Sequence, residues 1–125
     1  MIVALGTIWF NWRVWKRQRA IAASRAAMSA EAFAAALAER GVSAEVAATV
    51  RGVVCDYVYA RGLTPWPEDS LAELLLVDRE EIEFMLGDAL KRLSLRVPAE
   101  RVAEMPRVID LALYLESRRK AASRG

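Results

Sequence analysis

The stretch PEDSLAELLLVDREEIEFMLGDALKRLSLRVP, residues 67–98, decides how this chain is read. Asp78 followed three residues later by Glu81 has the spacing of a capping box, in which two side chains satisfy backbone N–H groups at a helix start. From there Ile82, Met85, Leu86, Ala89, Leu90 and Leu93 recur on one face, so the spacing predicts an amphipathic helix through about Ser94. Ser70 with Glu73 repeats the capping spacing and predicts one or two helical turns through Leu75. Downstream, Pro98 marks the start of a short helix carrying Val102 and Met105. Pro106 suits the first turn of a last helix that buries Val108, Leu111, Ala112 and Leu115. The basic tail at residues 118–125 is expected to fray in solvent.

One residue of the central helix disobeys its pattern. With Ile82 set at zero and about 100° per residue, Met85, Leu86, Ala89 and Leu93 lie within about 60°, whereas Phe84 lies near 200°. Its neighbours on that outer side are Glu80, Gly87 and Lys91. Two readings follow: the ring docks onto a protein partner, or an extra helix upstream covers it with Phe33 and Leu37.

Upstream of residue 67 the chain reads as two more helices and an extended loop. Ser29 caps a helix over residues 29–40 that Gly41 ends, and Ser43 caps another with Val46, Val50, Val53, Val54 and Tyr57 in a buried stripe. Gly62 is expected to stop that helix. Thr64-Pro65-Trp66-Pro67 is extended, because each proline pushes the residue before it out of helical geometry.

The N-terminus differs in kind. MIVALGTIWFNWRVW is followed at once by KRQR, and charges lie after the apolar run with none before it, the reverse of a secretory signal. As a helix the run spans about 22 Å, short of the roughly 30 Å hydrocarbon core. Trp9, Phe10, Trp12 and Trp15 beside Arg13, Lys16 and Arg17 make the mixture found at the cytoplasmic membrane–water interface. Membrane attachment through residues 1–17 is therefore expected, with the domain on the cytoplasmic side; packing against another protein or against the chain's own domain is the alternative. Residues 21–28 read as an alanine-rich helical linker.

Composition narrows the function classes. In 125 residues, 55% are apolar, enough for one domain with a sizeable core, and strand-type alternation is nearly absent, so an all-α fold is expected. Residues 1–28 hold five basic side chains and no acid, while residues 29–116 hold sixteen acids against nine bases. An acidic body argues against a nucleic-acid partner, which needs a basic face. One cysteine and no histidine exclude an internal disulfide, a zinc site of the usual kind and a Ser-His or Cys-His nucleophile pair. Cys55, within a run of valines, reads as a small buried apolar residue. Glu80, Glu81 and Glu83 read as a solvated helix face, so no catalytic residues and no metal are expected.

The order of long helix, extended loop, helix, short helix and helix over residues 44–117 resembles an acyl carrier protein. Pro67, Ser70, Leu71, Glu73, Leu75 and Asp78 match that family's loop residue by residue, without a gap to Pro98. Leu95-Arg96-Val97-Pro98 is similar to its Ile-Glu-Ile-Pro, and Val108-Ile109-Asp110-Leu111 with Tyr114-Leu115 is similar to its closing helix. The resemblance implies an acyl-carrier-like four-helix bundle, preceded here by an anchor helix and linker at 1–28 and an extra helix and turn at 29–43. It also implies that the central helix docks onto partners.

The departures fall where the family carries its cofactor. Arg79 stands at the position of the serine that bears 4'-phosphopantetheine, Glu80 at that of the following leucine, Leu74 at that of an aspartate and Leu76 at that of a glycine. Arginine has no hydroxyl, so no phosphodiester forms there. A literal Asp69-Ser70-Leu71 lies nine residues upstream, but using it shortens the loop and lengthens the distance to Pro98, and Ser70 reads instead as a helix cap. The expectation is a non-enzymatic, cofactor-free interaction module or accessory subunit held at a membrane. The alternative is a working carrier, with 4'-phosphopantetheine on Ser70, serving lipid or polyketide synthesis.

Overall fold

The computed structural model describes residues 2–58, 60, 62–72, 79–95 and 106–124, with the side chains of 2–8, 10, 11, 79 and 124 left out. Among the described residues five helices follow one another: α1 (Ile2–Ser24), α2 (Ala30–Ala38), α3 (Ala44–Tyr57), α4 (Arg79–Arg92) and α5 (Val108–Arg124). The fold is all-α. Among the described residues the extended pairing consists of an isolated antiparallel bridge, Ser70 with Arg107.

Local signals set the ends of several helices. Ser29 and Ser43 each stand in extended geometry and accept a hydrogen bond from the backbone three residues on, Ala32 and Val46 respectively. At the other end of α2, Gly41 takes φ +82°. The Gly41 N–H donates to the Ala38 carbonyl and the Val42 N–H to the Leu37 carbonyl. This is the Schellman pattern, which needs a left-handed residue. The C-terminus of α4 repeats it with Ser94 at φ 57°, as the Leu95 N–H reaches back to Leu90 at 2.8 Å.

α3 sits at the centre, packed by α2, α4 and α5, and α4 also touches α5. Val46, Val50 and Val53 of α3 meet Phe33 and Leu37 of α2, Met85, Leu86 and Ala89 of α4, and Val108, Leu111, Ala112 and Leu115 of α5 in one core. The spacing within α4 holds: Ile82, Met85, Leu86, Ala89, Leu90 and Leu93 are all buried. Truncating a fully buried side chain of this kind costs about 2–5 kcal/mol.

Several boundaries differ from expectation, each for a tertiary reason. α3 ends at Tyr57 rather than at Gly62, because Val58 turns extended, and the Ala60 N–H donates to Gln18 Oε1 on α1 at 3.2 Å. Residues 21–28, read as a linker, are helical only to Ser24, and Ile21, Ala22 and Met28 pack against the core. The basic tail is helical to Arg124 rather than frayed. Buried Glu116 holds it: its carboxylate accepts from the Ser43 N–H at 3.0 Å and the Ser43 hydroxyl at 3.1 Å. Arg119 adds a bond to Ser43 Oγ and an ion pair to Glu45 at 2.5 Å. The last helix starts at Val108 rather than with Pro106 in its first turn, and Asp110 accepts the Arg107 N–H at 3.1 Å across that start.

The loop after α3 is a strap whose side chains alternate. Leu63, Pro65, Pro67, Asp69 and Leu71 are buried while the residues between them are half-buried or exposed, although a turn intervenes at 67–68. Alternation is what extended backbone imposes. The strap bonds to the start of α5: the Leu71 N–H to the Pro106 carbonyl, and the Val108 and Ile109 N–H groups to the carbonyls of Asp69 and Pro67. Ser70 stands in the bridge, and residues 71–72 form a turn. The expected turns beyond it at 73–75, the short helix with Pro98, Val102 and Met105, and Asp78 lie outside the described residues.

Candidate functional site

Asp69, inside the strap's literal Asp-Ser-Leu, is only 4% exposed and serves the fold. Arg25 grips its carboxylate with two nitrogens, Nη1 at 2.7 Å and Nη2 at 2.8 Å. The Trp66 N–H donates to the same carboxylate at 2.8 Å. Arg25 Nη2 reaches the Thr64 carbonyl at 2.8 Å, its guanidinium lies over the Trp66 ring, and the Met28 N–H donates to Thr64 Oγ1. A buried charge is tolerated only when paired and hydrogen-bonded, and this one is both. The beginning of the chain is thereby clamped to the strap, and the strap to α5.

Ser70 next to it is half-buried within the bridge to Arg107. Arg79 is the first residue of α4 by its backbone, and its side chain lies outside the description. Cys55 is half-buried, and burial pushes its thiol pKa up, which keeps it protonated and a poor nucleophile. No group of acids and cysteine suited to a metal occurs among the described residues.

Two exposed faces stand out instead. On α4, Glu80, Phe84, Gly87 and Lys91 are all exposed, and Phe84 at 58% is opposite the buried stripe. Phe33 and Leu37, the residues offered to cover it from within the chain, are themselves fully buried in the core. The intramolecular reading of Phe84 therefore fails. A side chain added at Gly87 would meet nothing within 4 Å, so the surface beside the ring is open.

On α1, Trp9 and Trp12 are 57% and 51% exposed, and with Arg13, Lys16 and Arg17 they line a shallow groove. Arg13 lies over the Trp9 ring at 4.8 Å and Lys16 over the Trp12 ring at 5.0 Å. Each exposed cation–π contact contributes about 0.5–1 kcal/mol. Trp15 does not share this face. A step of three residues rotates a helical side chain by about 60°, so by Trp15 the series has turned toward the body. Trp15 is half-buried against the core, with Arg19 over its ring at 5.2 Å. Phe10's side chain is outside the description. No described helix is long and apolar enough to cross a membrane.

Sequence reasoning missed Gln18, Arg25 and Glu116 as the residues that hold the pieces together. Their partners are distant in sequence, 42, 44 and 73 residues away. A local signal existed only for Asp69, whose side chain bonds a backbone N–H three residues back within a proline-rich turn. Comparison with protein-family models, with curated proteins and with solved structures finds no match to this chain.

Proposed function

We propose that this protein is a non-catalytic interaction module with an acyl-carrier-like arrangement over residues 44–117, lacking a prosthetic group and held at a membrane by the exposed part of α1. The outer face of α4 is its docking surface for a protein partner, with Phe84 as the anchor and Glu80, Gly87 and Lys91 around it. One observation carries this reading: a helix whose inner face is wholly buried exposes a phenylalanine at its centre. Burying such a ring is worth about 2 kcal/mol, which a partner recovers. Aromatic anchors of this kind dominate interface energies. Two features support the absence of an arm. Arg79 offers no hydroxyl at the family's attachment position, and Ser70 belongs to a strap hydrogen-bonded on both sides.

The test is a mass measurement. After incubation with coenzyme A and a broad-specificity phosphopantetheinyl transferase, the chain keeps its unmodified mass. A mass increase that disappears in Ser70→Ala establishes a carrier and overturns the proposal.

A further inference from the structure

α1 carries two faces back to back. With Trp9 at zero, Trp12, Arg13, Lys16, Arg17 and Ala20 lie within about 80°, whereas Val14, Gln18, Ile21 and Ala22 lie between about 120° and 220°. The first set is exposed. The second is the set that packs: Val14 and Gln18 are buried, and Ile21 and Ala22 lie against the core. The helix is continuous from Ile2 to Ser24, so no break separates the exposed face from the packed one. Just past its end Arg25 locks onto Asp69 through two bonds, and Gln18 accepts the Ala60 N–H within the packed face.

The chemistry of the exposed face selects its occupant. Residues 1–28 hold no acid, and the cations lie beside indole rings. An indole with a polar edge next to a cation suits the headgroup layer, where apolar chain meets phosphate, and each basic residue there gains roughly a factor of five in partition on an anionic surface. We propose that α1 is a rigid mount: Trp9, Trp12, Arg13, Lys16 and Arg17 seat in an anionic lipid headgroup surface while the opposite face of the same helix holds the domain at a fixed height. This rests on the membrane reading given above and adds to it the lipid charge, the helix face and the rigidity. A flexible tether lets a domain sample many heights above a bilayer; this helix, packed from Val14 to Ala22 and clamped just past its end at Arg25, fixes one.

The experiment uses the 125-residue chain with Cys55→Ser and a donor dye on Ala48→Cys, an exposed position of α3. Energy transfer is read to an acceptor lipid in vesicles of phosphatidylcholine with or without phosphatidylglycerol. Binding is expected to be at least about tenfold tighter with phosphatidylglycerol, and Arg13→Gln, Lys16→Gln and Arg17→Gln each weaken it about fivefold. The bound chain shows one narrow distance distribution, which Gln18→Ala broadens. Tight binding with a broad distribution in the unaltered domain overturns the mount but leaves membrane attachment standing. Equal binding to both vesicles overturns the anionic occupant. No binding to either overturns the membrane reading itself, and the mount with it.

Discussion

Trp9 and Trp12 on α1 and Phe84 on α4 are exposed to nearly the same degree, 57, 51 and 58%, yet their neighbours differ in kind. Around the tryptophans stand Arg13, Lys16 and Arg17, all of one sign; around Phe84 stand Glu80 and Lys91, of opposite signs, and an open glycine. A face of one sign matches a surface of the other sign, whose position along the plane is unimportant. A face of mixed sign matches a partner whose charges are placed in register, which is how protein interfaces gain specificity. On the proposed reading the two faces, alike in exposure, serve two different partners, and experiment can separate them.

The largest expected effect tests whether α1 belongs to the domain that carries Phe84. Asp69→Ala leaves the Arg25 guanidinium, only 19% exposed, without its carboxylate. Removing one partner of a buried pair costs about 3–5 kcal/mol, so the melting midpoint of the full chain should fall by many degrees. A fall of less than about 1 kcal/mol means the pair behaves as a surface contact, and α1 and the strap are then not one unit.

Next in size is the contrast within α4. Met85→Ala should destabilise the chain by about 2–5 kcal/mol, whereas Phe84→Ala, one residue away, should stay within about 0.5 kcal/mol. Chemical denaturation of both variants reads the difference. A loss of about 3 kcal/mol at Phe84 would place that ring in the core and end its proposed role as an anchor.

That contrast was legible in the sequence, because it rests on helical periodicity alone. The inward set of α4, the serine caps at 29 and 43, and the glycine stop at 41 all depend on residues within a few positions of one another, and each appears in the structure. What was not legible depends on distant partners. Val58 leaves the helix four residues before Gly62, and Ala60 bonds to Gln18 across 42 positions. The tail RRKAASRG looks solvated by composition, but Arg119 and Glu116 reach Ser43 and Glu45, so the helix continues. Trp9, Trp12 and Trp15 look like one series by spacing, but they turn by about 120° around the helix, and the packing of α1 shows that Trp15 is the one on the inner side. Of the candidate site, the exposed face of α4 could be read from a helical wheel; the clamp of Arg25 on Asp69 could not.

The smallest effect sharpens the description of α4's end. Ser94 holds φ 57°, a left-handed conformation in which glycine carries no side-chain penalty. Ser94→Gly should therefore stabilise the chain by about 0.5 kcal/mol, measured as a higher denaturant midpoint with unchanged slope. A loss of stability would mean that the serine side chain contributes more than its backbone strain removes.

The division of labour between the two aromatic faces is tested most directly by sedimenting the 125-residue chain with vesicles of phosphatidylcholine and phosphatidylglycerol. Trp9→Ala with Trp12→Ala is expected to abolish most of the bound fraction, while Phe84→Ala binds as the parent does. Loss of binding in Phe84→Ala, with the double tryptophan variant unaffected, would contradict that division.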